Sequence, residues 1–262
     1  MLFRQLFDPE TSTYTYLLAD EATREAVLID TVLEQFDRDG TLLAELGLTL
    51  RYTLETHVHA DHVTASARFR DTSGSRVVVA ASAGVGNADV QIEDGGSLRF
   101  GTHELEARLT PGHTEGCVTF VCAREGMAFT GDALLIRGCG RTDFQQGDAG
   151  ALFRSVRERI FALPADTLLF PGHDYKGRTV TTVEEERRFN PRLGLDRSES
   201  EFEKIMAALD LAYPKRIDVA VPANLKCGEG AAAGQPLPGP SVASVIAEMG
   251  RQDVDFAMGE GI

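Results

Sequence analysis

Five of the six histidines in this chain stand in a pattern that binds metal. Thr56-His57-Val58-His59-Ala60-Asp61-His62 reads T-H-x-H-x-D-H. Downstream come Pro111-Gly112-His113, Thr130-Gly131-Asp132 and Pro171-Gly172-His173. In each of these three a ligand-type residue directly follows a glycine at the end of a short apolar run. Neutral imidazole and carboxylate are the groups that hold catalytic metals. An isolated H-x-H is a common accident, but a histidine-poor chain does not arrange five of six this way by chance. The residues are those of a metalloenzyme, with either two adjacent metals or one metal whose ligands are themselves held by the remaining groups. His103 is the outlier. It lies on the apolar face of an alternating segment, so it is expected to pack rather than to bind metal.

Bringing these groups together requires strands that end near one another, with glycine allowing a sharp turn at each end. Strands are expected at Leu2–Phe7, Tyr14–Leu18, Ala26–Ile29 and Tyr52–Glu55, the last running into the histidine motif. Near-helical apolar spacing predicts a helix over Val32–Leu46. A second helix, Asp61–Arg70, is expected to begin inside the motif and to supply the bend that lets His57 and His59 converge. Val77–Ala81 reads as a buried strand. His103, Leu105, Ala107 and Leu109 alternate with Glu104, Glu106 and Arg108, which marks a half-buried strand. Strands follow at Val118–Cys122, Met127–Thr130 and Thr167–Phe170, with helices at Ala151–Leu163, Val183–Phe189 and Ser200–Leu211. Strands in runs with helices between them predict an α+β fold, two sheets packed face to face with helices outside. Residues 1–228 form the expected catalytic domain. Residues 229–262 are expected to form a Gly/Ala/Pro-rich arm, with a short helix expected near Ser241–Met249.

Bulk properties limit the function. Hydrophobic residues make up 43 % of the 262 positions, enough for a sizeable core. The net charge of −14 argues against nucleic acid as a partner. An anionic substrate would need a local basic group. Residues 1–30 hold no uninterrupted apolar stretch of the kind a secretory signal needs, and no apolar run is long enough to span a membrane. The expected location is the cytoplasm. Cys117, Cys122, Cys139 and Cys227 show no C-x-x-C spacing, so reduced thiols rather than disulfides or metal ligands are expected.

The motif resembles that of the metallo-β-lactamase superfamily, over roughly residues 1–228. The resemblance implies an αβ/βα four-layer sandwich with the metal at one edge. In the dinuclear form His57, His59 and His113 would hold one metal, Asp61, His62 and His173 the other, and Asp132 would bridge. The segment Gly131–Gln145, with Arg137, Cys139, Arg141 and Asp143, is more specific: it resembles the persulfide dioxygenase branch. So do Pro171–Tyr175, Thr182–Arg187, Asn190–Leu193 and Val221–Gly228. That resemblance implies one Fe(II) per chain, held by His57, His113 and Asp132 as a 2-His-1-carboxylate triad with three positions open. His59, Asp61, His62 and His173 would then orient the ligands and bound water from behind. The implied reaction oxidises glutathione persulfide with O2 and water to sulfite and glutathione. Arg141 is the first candidate for a substrate carboxylate because its planar fork suits bidentate binding. Tyr175, Asn224 and Lys226 are further candidates. A homodimer is the open expectation for assembly.

Two other readings compete. A glyoxalase II-type hydrolase of glutathione thioesters would use the same fold and two metals to activate water. The retained His59, Asp61, His62 and His173 favour it, and the Arg137–Gln145 loop opposes it. A non-catalytic binding protein on a decayed enzyme fold would be expected to have lost ligands, and none is missing.

Overall fold

The computed structural model describes residues 1–231. The expected arm beyond 231, including the helix at Ser241–Met249, lies outside them. The first sheet carries β1 (Leu2–Asp8), β2 (Thr13–Ala19), β3 (Glu25–Ile29), β4 (Thr49–Leu54), β5 (Arg76–Ala80) and β6 (Val90–Ile92), in chain order. The second carries β12 (Thr181–Thr182), β11 (Leu168–Pro171), β10 (Met127–Gly131), β9 (Val118–Cys122), β8 (His103–Leu109) and β7 (Ser97–Phe100). Both sheets are mixed: β1 to β3 pair antiparallel and β3 to β6 parallel, while β7 to β10 pair antiparallel and β10 pairs β11 parallel.

The strand sequences explain the layering. In β2 every residue is buried, so side chains of both faces must be covered. Tyr16 and Leu18 point inward with Val27, Ile29 and Leu54, and meet Phe100, Leu105, Phe120, Phe129 and Phe170 of the opposite sheet. Leu17 and Ala19 point outward with Ala26 and Leu28, under α1 (Phe36–Glu45), α2 (Ser66–Ser73) and α6 (Ile217–Asn224). On the far side Val121, Ala128 and Leu169 are covered by α3 (Ala149–Ser155) and α5 (Glu199–Ala207), while α4 (Val183–Phe189) follows β12. The result is the αβ/βα four-layer sandwich. Among the described residues no helix is long and apolar enough to cross a membrane. Phe120 is fully buried between the sheets, so Phe120→Ala is expected to lower unfolding free energy by about 3–5 kcal/mol in denaturant titration.

The main departure from expectation is α2. It begins at Ser66 and not at Asp61. The intervening backbone is bound elsewhere: Thr64 N–H donates to Asn224 Oδ1 (2.9 Å), Leu33 N–H donates to the Val63 carbonyl (2.8 Å), and Ala65 N–H donates to Thr31 Oγ1 (3.2 Å). A segment so committed cannot close helical i→i−4 bonds. The motif bends because the loop is clamped, not because a helix starts there. The helix expected at Ala151–Leu163 opens into a π turn over Val156–Ile160. The one expected at Ser200–Leu211 runs from Glu199 to Ala207, started by a capping box between Ser198 and Glu201. The short strands β6, β7 and β12 and the Pro222-containing α6 were not anticipated. The four cysteines are free and buried.

Candidate metal centre

Each expected ligand follows the end of a strand at one edge of the sandwich. His57 follows β4, His113 follows β8, Asp132 follows β10 and His173 follows β11. Gly131 turns the chain at φ +50°, and a Cβ there would overlap Thr56 Oγ1, so glycine allows both the turn and the close approach. His57, His113 and Asp132 bring one donor atom each to within 4.8 Å of the others. His113 Nε2 lies 3.8 Å from Asp132 Oδ2.

In each of the three, one polar atom is tied to protein and the other is left for a ligand. His113 Nδ1 lies 2.7 Å from the Arg141 carbonyl. A carbonyl only accepts, so Nδ1 carries the hydrogen and Nε2 presents its lone pair. Thr56 Oγ1 donates to Asp30 Oδ2 (2.8 Å) and so accepts from His57 Nδ1 (2.9 Å), which leaves His57 Nε2 unprotonated. Burial, and then the neighbouring His59 and His113, hold His57 well below the ordinary histidine pKa. It stays a neutral imidazole. Asp132 Oδ1 accepts from His173 Nδ1 (2.7 Å). Burial would raise the Asp132 carboxyl, but the His173 charge and hydrogen bond outweigh it and keep it well below the usual carboxylate range. Two neutral nitrogens and one carboxylate oxygen, each oriented from behind, suit a divalent transition metal. Metal bonds of about 2.1 Å would put adjacent ligand atoms about 3 Å apart, so the 3.8 Å between His113 Nε2 and Asp132 Oδ2 would shorten on binding.

The other four motif residues surround this triad. His173 Nε2 meets Asp61 Oδ2 (3.0 Å) and Thr13 Oγ1 (3.1 Å). Burial opposes its charge, but Asp132 and Asp61 together raise it well above the ordinary value. His62 Nδ1 meets Asp61 Oδ2 at 2.9 Å. His59 Nε2 lies between Asp30 Oδ1 (3.2 Å) and Glu55 Oε2 (3.3 Å). Those carboxylates overcome burial and raise its pKa to about 10. His59 Nδ1 and His62 Nε2 are buried with no hydrogen-bond partner, and His59, Asp61 and His62 form a second group able to hold a metal. His103 is apart from all of this, packed on Phe100 and 3.1 Å from Glu125.

The substrate candidates fare differently. The Arg141 fork is already occupied. Its Nε and Nη2 donate to Asp143 (2.6 and 2.7 Å), its Nη1 donates to the Ala212 carbonyl (2.8 Å), and it lies over the Phe144 ring. Arg141 serves the site through its carbonyl, not its guanidinium. Asn224 is buried, and its amide is spent on Thr64 N–H and on the carbonyls of His59 (2.9 Å) and His62 (2.8 Å). It clamps the histidine loop and has nothing left for substrate. Tyr175 is exposed, its ring stacked on His173 at 6.0 Å and 5°. Lys226 is exposed.

Asn224→Ala would strand those backbone groups at about 1–3 kcal/mol each. The expected result is a melting temperature lower by at least about 6 °C, with KM of the metal-loaded protein nearly unchanged. A substrate contact would show the reverse.

Asp30 and Glu55 were not singled out from the sequence. Asp30 also accepts from Thr56 N–H (2.7 Å), and Glu55 accepts from Thr64 Oγ1 (2.5 Å) and Ser66 Oγ (2.6 Å). The signal was present, since both are acidic residues directly after a buried strand, the position that marks the ligands.

A family model described as metallo-beta-lactamase superfamily matches residues 8–173. The human mitochondrial persulfide dioxygenase ETHE1 is 58 % identical over 229 residues, covering 87 % of this chain and 89 % of that one. The crystal structure of ETHE1 from Myxococcus xanthus superposes with a TM-score of 0.84 at 53 % identity, over 87 % of this chain and 100 % of that one. A hydroxyacylglutathione hydrolase of Cereibacter sphaeroides is 35 % identical, over 67 % of this chain and 69 % of its own. With its two mixed sheets, its edge-bound His/Asp cluster and these relatives, the chain belongs to the metallo-β-lactamase superfamily.

Proposed function

We infer that this chain is a persulfide dioxygenase, which oxidises glutathione persulfide with O2 and water to sulfite and glutathione at one Fe(II). The observation that carries the reading is the 58 % identity to the human persulfide dioxygenase across 87 % of the chain. Identity to the thioester hydrolase is 35 % across 67 %. The geometry supports it: three donors converge, and three protein ligands leave room for both reactants.

Fe(II), when bound, would supply a redox-active centre at which a persulfide sulfur and O2 can meet. The chain's own residues do the rest. The Arg141 carbonyl and Thr56 Oγ1 fix the tautomers of His113 and His57. His173 holds Asp132 by one oxygen and leaves the other free. Tyr175 and Lys226 remain candidates for the carboxylates of glutathione. The net charge of −14 supports the absence of nucleic acid and of anionic membrane as partners. The cytoplasm is the proposed location, and a reducing compartment suits four free buried thiols. The proposed homodimer is open to sedimentation analysis.

The uncommitted His59 Nδ1 and His62 Nε2 favour a second reading, a dinuclear hydrolase. Anaerobic titration of metal-free protein separates the two. Oxygen uptake on adding glutathione persulfide should rise with Fe(II) and plateau at one equivalent. A plateau at two equivalents, or activity confined to thioester hydrolysis with zinc, would overturn the mononuclear dioxygenase.

A further inference from the structure

A groove of about 310 Å³ opens beside the triad. Two of its wall residues, Val58 and Thr114, are the chain neighbours of His57 and His113. Its volume is at the lower end of the range that holds a small-molecule ligand, enough for a tripeptide. The far wall is the apolar side of α6, through Val221 and Leu225. The near wall is polar but almost uncharged. Ser82, Gln145 and Gln146 line it, and Glu115 is the one charged side chain among the lining residues. Glu115 is exposed, and its carboxylate makes no ion pair or hydrogen bond among the described residues. Its backbone is nevertheless fixed. The Glu115 carbonyl accepts from Ser82 Oγ (3.3 Å), and next to it Gly116 packs so closely that a Cβ would stand 2.5 Å from Ala83 Cα. The Glu115 loop and the Ser82 loop are thus locked together at a set distance from His113.

We propose that this groove seats the thiol carrier of the persulfide, and that Glu115 receives the carrier's ammonium group and so selects amino-acid-type thiols. The proposal rests on the persulfide dioxygenase reading. Glutathione carries one ammonium and two carboxylates. A wall with one carboxylate and no cation suits the ammonium, while the carboxylates fall to the candidates outside the wall, Tyr175 and Lys226, the latter the exposed chain neighbour of the lining residue Leu225. A carrier bearing only anionic groups meets Glu115 as a like charge. Charge-assisted pairs of this kind are shorter and stronger than neutral ones, though solvent screening limits them at an exposed site.

The test compares the persulfides of glutathione and of N-acetylglutathione, which lacks the ammonium, on Fe(II)-loaded wild type and Glu115→Gln. Wild type should prefer glutathione persulfide by about three- to tenfold in kcat/KM. Glu115→Gln should erase that preference by raising KM for glutathione persulfide, with kcat within about twofold and the acetylated substrate unaffected. Added salt should shrink the preference in wild type alone. Equal KM values for the two substrates in wild type, or a Glu115→Gln loss shared by both, would overturn the assignment of Glu115 while leaving the dioxygenase standing. An absence of oxygen uptake with either substrate in wild type would remove the dioxygenase reading and the carrier groove with it.

Discussion

His113→Ala is expected to abolish metal binding and lower oxygen uptake by more than about a hundredfold. Loss of only an outer hydrogen-bond partner of a metal ligand costs about 10–100-fold in affinity or activity, and His113 is one of only three converging donors. The imidazole is oriented for one task. Its Nδ1–H is given to the Arg141 carbonyl, and its Nε2 faces Asp132 Oδ2 across 3.8 Å. No neighbouring side chain can swing in as a substitute without breaking bonds of its own: His173 is held by Asp132 and Asp61, and His59 by Asp30 and Glu55. His103→Ala is the control. That histidine packs on Phe100 beside Glu125, so its loss should lower stability and leave metal content unchanged. Metal analysis of both purified variants, with thermal melts of the metal-free forms, checks the pair. Retained metal in His113→Ala would contradict the assignment.

The second large effect is expected at Gly140. Its N–H donates to the Asp132 carbonyl (2.7 Å), and a Cβ at this position would stand 2.7 Å from that same oxygen and 2.7 Å from His113 Nδ1. One added methyl would therefore press on two of the three ligands at once. The Asp132 carbonyl is backbone and yields little, so the His113 ring must turn and give up its bond to Arg141. Gly140→Ala should lose about 10–100-fold in metal affinity and about 1–3 kcal/mol of stability from overpacking. Gly138→Ala, two residues earlier, is the matched control. A Cβ there meets only Leu135 Cβ at 3.8 Å, an ordinary contact, and its metal affinity should match wild type. Metal titration of the two variants side by side separates steric pressure on the ligands from a general loosening of the loop.

Much of the frame was legible because burial leaves a periodic trace. The alternation over His103–Leu109 marked β8 at its observed bounds, and the apolar runs before the ligands marked β4, β10 and β11 to within a few residues. Ligand-type residues after such runs pointed to one sheet edge, and the structure gathers them there. Three features left no such trace. The start of α2 is set by Asn224, 160 residues away from the Thr64 N–H it binds, and no local propensity reports a clamp of that kind. Arg141 carries the right chemistry for a carboxylate, but Asp143 two residues on already satisfies it. The strands β6, β7 and β12 span only two to four residues each, too few to display a period. Asp30 and Glu55 are a different case, since each directly follows a strand, β3 or β4, and so carries the same strand-end signal as the ligands.

The most direct test of the central claim is the ratio of O2 consumed to sulfite formed when glutathione persulfide is added to the anaerobically prepared, Fe(II)-loaded protein. Persulfide, O2 and water give sulfite, glutathione and protons, so both sulfite oxygens beyond the one from water come from a single O2. The predicted result is one O2 per sulfite, lost in His113→Ala. Sulfite without matching oxygen uptake, or no uptake at all alongside hydrolysis of a glutathione thioester, would contradict it.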